Sequence, residues 1–243
     1  MDNRAKIRRI HEILDQGSPE DISFLQKRDP FQFLISVILS AQTTDERVNQ
    51  VTPTLFAKYP DAASLASADI EDVKQIIRTT GFFNAKTRHI IDCAEAVEGR
   101  FSGVVPTEMD DLLTLPGVGR KTANCLRANI FGLPGIVVDT HFSRVVNRVF
   151  GLGTRDPEKV EAFVCSHLKP ECWNRFSMTV NLHGRNVCHA SAMECGGCPL
   201  AYLCCEYTTP RQKKYTLSCE PIKVHARKRF GVNLDLTESG AGD

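Results

Sequence analysis

Leu112-Leu113-Thr114-Leu115-Pro116-Gly117-Val118-Gly119-Arg120-Lys121-Thr122-Ala123 is the stretch on which the reading of this chain turns. Pro116 stops the helical pattern before it, and two glycines spaced by one residue open backbone angles that other residues avoid. A new helix begins at once, so unpaired N–H groups point outward from a tight turn between two helices. A concavity of this kind at a helix N-terminus is an anion site, and on duplex DNA it would hold a phosphate without reading sequence. Gly-x-Gly alone fits a plain helix–helix turn equally well. The complete string is far more specific, and it makes Leu115, Gly117, Val118, Gly119 and Arg120 the expected DNA-binding hairpin.

Outward from this turn the periodicity is helical nearly throughout. Ile7, Ile10 and Leu14 form one stripe, and Pro30 opens a segment carrying Phe33, Leu34, Val37 and Ile38. Asp45 is expected to cap a helix bearing Val48, Val51 and Leu55, kinked at Pro53. Asp69 precedes Ile70, Val73 and Ile77, with Gly81 as the stop, and Ile90, Ala94 and Val97 mark a helix ending near Gly99. Further helices are expected from Arg120 to Phe131, Thr140 to Phe150, Pro157 to Leu168 and Cys172 to His183. Alternating strand patterns are nearly absent, so the expected class is all-α.

Lys121 falls in the first turn of its helix, where the dipole disfavours a cation and Arg120 adds like-charge repulsion. Both effects favour a neutral amine, which otherwise costs about 4–5 kcal/mol to obtain at neutral pH. Lys121 is therefore either a phosphate contact or a nucleophile, and on these residues alone the phosphate contact is favoured. In Ile136-Val137-Val138-Asp139-Thr140-His141, apolar residues run straight into Asp139, which opens a helix. As an N-cap it would contribute about 1 kcal/mol. The helix from Lys121 to Phe131 rises roughly 15 Å, and an extended return after Gly132-Leu133-Pro134-Gly135 covers the same distance. Asp139 is thus expected beside Lys121, and capping and catalysis are compatible roles for it.

Composition bounds the partners. The 243 residues are 42% apolar and 24% charged, with a net charge of only +1. Residues 211–230 hold seven Lys/Arg against one acid, residues 231–243 three acids and no base, and residues 1–210 are left at −2. A polyanion would have to be gripped by a local patch and backbone amides rather than by the total field. The start lacks the apolar core of a secretory signal and no run is long enough to span a membrane, so a cytoplasmic, nucleoid-associated protein is expected. Ten cysteines are then anomalous. Cys188, Cys195, Cys198 and Cys204 follow Cys-x6-Cys-x2-Cys-x5-Cys. In a reducing compartment this spacing marks a metal centre, either zinc or an iron–sulfur cluster, with thiolate chemistry alone leaning toward zinc. The remaining cysteines read as buried free thiols.

The hairpin, Asp139 and the cysteine spacing together resemble the endonuclease III family, over roughly residues 1–210. Ser40-Ala41-Gln42-Thr43-Thr44-Asp45 and Leu182-His183-Gly184-Arg185 also fit. The resemblance implies a bifunctional DNA glycosylase and abasic-site lyase acting on oxidised pyrimidines in duplex DNA, as a monomer. It implies a 4Fe–4S cluster at the four cysteines, which reverses the lean toward zinc. It also implies two lobes with a DNA cleft between them. One is a six-helix barrel at 23–133, with the helix–hairpin–helix at about 108–127. The other is a cluster lobe made of 1–22 and 134–210, and the 211–243 tail is left unassigned. By the same resemblance Lys121 and Asp139 are catalytic, Gln42 fills the gap left by an extruded base, Phe82 wedges into the duplex, and His141 lies near the site. An aromatic at 82 departs from the often aliphatic pattern, which could alter opposite-base preference. Adenine-mismatch relatives lack a lysine at position 121, whereas thymine-mismatch specificity, a non-catalytic DNA-binding protein and a zinc-stapled scaffold stay open from the residues alone.

Overall fold

The computed structural model describes residues 1–26, 29–191 and 195–208, so the charged tail and Cys219 lie outside the described residues. Among the described residues every regular element is a helix. In order they are α1 (Asn3–Gln16), α2 (Pro30–Leu39), α3 (Asp45–Lys58), α4 (Ala62–Ala66), α5 (Ile70–Ile77), α6 (Phe83–Phe101), α7 (Met109–Leu113), α8 (Arg120–Asn129), α9 (Thr140–Phe150), α10 (Pro157–His167), α11 (Trp173–Asn186) and α12 (Cys205–Thr208). None is long and apolar enough to cross a membrane.

Local chemistry explains most boundaries. Aspartates at 2, 29, 61, 69, 139 and 156 accept from backbone N–H groups and cap six of these helices, each typically contributing about 1 kcal/mol. Some boundaries differ from the sequence reading, α11 for one running Trp173–Asn186 rather than Cys172–His183. Thr44, not Asp45, caps α3: its hydroxyl accepts from the Arg47 N–H, which leaves the Asp45 carboxylate free for a tertiary partner. Helix α5 ends at Ile77, four residues before Gly81, and α6 continues through Gly99 to Phe101, where Ser102 turns left-handed. A glycine inside a packed helix costs only about 1 kcal/mol, which burial on the stripe of Ile90, Ala94 and Val97 offsets.

Two cores form. The first gathers α2 to α8, around Leu34, Ile35, Leu39, Leu55, Leu65, Ile77, Ile90 and Leu112. Helix α2 is its axle: eight of its ten residues are buried, so it reads as apolar on every side. The second core packs α1 against α9, α10 and α11 through Ile7, Ile10, Phe142, Val145, Val164 and Phe176, with Phe142 and Phe176 edge-on at 6.0 Å. The two ends of the described chain therefore meet in one core.

The α7–α8 turn sits on the first core. Gly117 has φ 76°, and a methyl built there would lie 3.1 Å from His89 Cβ and 3.3 Å from Ile38 Cγ2. Gly119 has an ordinary φ of −99°, and a methyl there would meet nothing within 4 Å. Gly117→Ala is therefore expected to lower unfolding free energy by about 2 kcal/mol, combining a left-handed penalty with crowding. Gly119→Ala should cost less than about 1 kcal/mol. Urea denaturation of the two variants checks this, and equal losses would contradict it.

Candidate active site and nucleic-acid interface

Leu115 and Val118 are buried in the first core, so the hairpin is anchored by side chains and faces outward with backbone. Gly119 caps α8 without any side-chain acceptor, which leaves the first-turn N–H groups of α8 open to an anion. Lys121 is exposed on that same turn. Arg120 is not the bare cation that the sequence suggested. Its Nε and Nη2 donate to Glu161 of α10 at 2.8 and 3.0 Å, and Asn124 Nδ2 donates to the same carboxylate at 3.2 Å. Glu161 is only 12% exposed, so this ion pair ties the hairpin helix to the other core and balances the charge beside Lys121.

The return from α8 to α9 is extended and largely buried, and it pairs with no strand. Its polar backbone is satisfied by side chains instead: Gly135 N–H donates to Asn174 Oδ1 at 2.9 Å, Val137 N–H to Ser177 Oγ at 2.8 Å, and Ile136 C=O accepts from Asn124 Nδ2 at 2.9 Å. That route delivers Asp139, half-buried, to the start of α9, where Oδ1 accepts from Phe142 N–H at 2.8 Å. The thiol of Cys125, one turn along α8 from Lys121, registers both charges. Burial pushes it up to about 11, the Lys121 ammonium opposes this, and the Asp45 and Asp139 carboxylates reinforce it. The surroundings of the Cys125 thiol thus include charges from α8, from the start of α9 and from α3. Asp45 is held there by Arg185 at 2.8 Å.

Gln42 and Phe82 occupy adjoining loops. Both are exposed and both are left-handed, with φ 54° and 58°. Phe82 caps α6 without a side-chain bond, and its ring is 69% exposed, a placement that packing does not explain. Strain of this kind collects at functional sites.

His141 is half-buried and its Nδ1 lies 3.2 Å from Arg144 Nη2. Its backbone presses on α11 at Gly184, where a methyl would come within 3.0 Å of His141 Cβ and of its carbonyl oxygen. Arg144 also donates to Gly184 C=O at 2.7 Å and to Cys188 C=O at 2.9 Å. The chain thus passes directly from the His141 region into the cysteine loop.

Cys188, Cys195, Cys198 and Cys204 line one cavity, closed by Val145, Val149, Val187 and Leu200. Among the described residues no three His, Cys, Asp or Glu side chains converge closely enough to hold a single ion. Burial, with neighbouring thiolates adding to it, pushes the Cys198 thiol up to about 12. A cationic centre is what would hold four such sulfurs as thiolates together. Arg148 Nη1 donates to Cys188 Sγ at 3.2 Å.

Sequence reasoning missed Glu161, Asn124, Asn174, Ser177 and Arg148, since polar residues at helical positions give no signal until a partner is known. Cys93 is buried as expected, while Cys125, Cys165 and Cys172 are only partly so.

The HhH-GPD superfamily base excision DNA repair protein model matches residues 35–170. Endonuclease III of Synechocystis sp. is 44% identical over 193 residues, covering 79% of this chain and 88% of its own length. Endonuclease III of Escherichia coli strain K12 is 37% identical over 206 residues, covering 83% and 96%. A solved structure described as a trapped endonuclease III–DNA covalent intermediate, an estranged-adenine complex, aligns with a TM-score of 0.82 at 35% identity. It covers 88% of this chain and all of that one.

The contact at Gly184 gives a test of this construction. Gly184→Ala must force α9 and α11 apart against backbone, so a loss of about 1–3 kcal/mol in unfolding free energy is expected. Thermal unfolding beside the parent protein measures it; an unchanged midpoint would show that the helices are not in fixed contact.

Proposed function

The chain belongs to the endonuclease III family of the HhH-GPD superfamily, DNA glycosylases and abasic-site lyases of base-excision repair, and we propose that it removes oxidised pyrimidines from duplex DNA and cuts the strand through a Schiff base on Lys121. The observation that carries this reading is the exposed Lys121 in the first turn of α8, directly after a hairpin whose cap, Gly119, supplies no side-chain acceptor. A phosphate on the hairpin amides would set the register of the duplex, and one copy of the chain would meet a damaged pyrimidine or an abasic site.

The damaged base is unreachable within the stack, so it must be extruded at a cost of a few kcal/mol. Gln42 and Phe82, exposed on touching loops, would offset this by filling the vacancy. The neutral Lys121 amine then attacks sugar C1′, the glycosidic C–N bond breaks, and the base leaves with the electron pair. Loss of a proton from the nitrogen and opening of the sugar give the Schiff base. Asp139 stabilises positive charge on the sugar and assists proton transfer; its free oxygen suits this while the other caps α9. Removal of a C2′ proton expels the C3′ oxygen and cuts the strand 3′ to the lesion.

Cys188, Cys195, Cys198 and Cys204 would hold a 4Fe–4S cluster, which would staple the loop after α11. Four cysteines lining one cavity supply the thiolates such a cluster takes, and membership of the endonuclease III family is what favours it over zinc.

Lys121→Gln is expected to abolish borohydride-trapped protein–DNA adducts while duplex binding survives. Retained adducts would remove Lys121 from the role, and preferential excision of mismatched thymine would overturn the substrate assignment. The purified protein should be brown and contain iron and sulfide; a colourless protein with one zinc would overturn the cluster.

A further inference from the structure

Lys86 lies in the first turn of α6 and is only 4% exposed. Its Nζ donates to Thr43 Oγ1, and among the described residues no carboxylate faces it. Burial pushes its ammonium below the usual lysine value. A desolvated cation balanced by one hydroxyl is costly, and a methionine of the same length would fill the place more cheaply. The fold alone therefore gives no reason for a lysine.

What the lysine joins gives one. Thr43 follows Gln42 and its hydroxyl reaches back toward Ala41 C=O at 3.5 Å, while Thr43 N–H donates to Ser40 C=O at 3.2 Å. Gln42 is thus bracketed on both sides in its left-handed conformation. At its own backbone, Lys86 N–H donates to Phe82 C=O at 3.1 Å, closing the first turn behind the other left-handed residue. The two loops touch: a methyl at Gly81 would lie 3.3 Å from Gln42 C=O and 4.0 Å from Thr43 Oγ1. One residue therefore grips the Phe82 loop through its backbone and the Gln42 loop through its side chain.

We propose that Lys86 is a positioning residue for base extrusion, holding Gln42 and Phe82 in register so that both enter the duplex as one unit. It touches neither the sugar nor the base. This rests on the assignment of Gln42 and Phe82 to the emptied stack. Each left-handed residue costs about 1–2 kcal/mol, and without the lysine both loops can relax to conformations that no longer present the side chains together.

Lys86→Met and Lys86→Arg, with Thr43→Val as the partner change, test this. The first readout is single-turnover base excision from a duplex holding an oxidised pyrimidine, compared with strand cutting at a preformed abasic site, where extrusion is easier. The second is the fluorescence of 2-aminopurine placed opposite a tetrahydrofuran abasic analogue, which reports unstacking of the estranged base without any chemistry. The third is the melting temperature. For Lys86→Met the expected results are excision at least about tenfold more impaired than abasic cutting, a lost fluorescence change and a melting temperature at or above the parent. Thr43→Val should behave alike and add nothing in the double variant, and Lys86→Arg should recover part of the excision rate. Equal losses in both reactions with a lowered melting temperature would make Lys86 a structural residue and overturn the proposal. Unchanged excision and fluorescence would overturn it as well. If the parent itself neither excises nor cuts, the proposed function fails rather than this inference.

Discussion

The short return 133–138 sets the terms for the rest of this molecule. It carries the polypeptide from the first core to the second and is buried over 135–138, with no neighbouring strand to take its hydrogen bonds. Buried backbone groups must be paired. Asn124, Asn174 and Ser177 pair them, drawn from α8 and α11 on either side. Losing any one of these would leave a buried donor or acceptor unmatched, at about 1–3 kcal/mol. The return is consequently fixed in place, and with it the position of Asp139 relative to α8.

That constraint makes the capping role of Asp139 compatible with the chemistry proposed for it. One oxygen of Asp139 satisfies the start of α9, which orients the carboxylate without the long, floppy side chain that a glutamate would bring. Glu161 does the corresponding work on the other partner, binding Arg120 and Asn124 across the two cores and so steadying the first turn that carries Lys121. Lys121, the proposed nucleophile, is left without such restraint and is exposed. Rigid surroundings with one free amine suit a reaction in which only that amine changes covalent state.

The same economy appears where the duplex would be opened. Two left-handed non-glycine residues, one of them a 69% exposed aromatic, sit on two touching loops, and a buried lysine in the first turn of α6 bridges them. Each is unfavourable for folding alone. Their concentration at one edge of a core that is otherwise well packed and well capped separates what the fold needs from what the function uses.

The sequence alone determined the helical class, the hairpin turn, the aspartate at the start of α9 and the four clustered cysteines, because each rests on local chemistry: a stripe at helical spacing, a glycine that must turn, a carboxylate at a helix start, a run of thiols. Lys86 gave no signal in the sequence. Tertiary structure decided the rest. The partners of Arg120 and Asp45, the bridging of Thr43 to α6, and the passage from His141 through Gly184 to Cys188 join residues 40 or more positions apart. No local pattern encodes such pairs, since a polar side chain on a helix reads the same whether it faces water or a buried carboxylate from elsewhere in the chain.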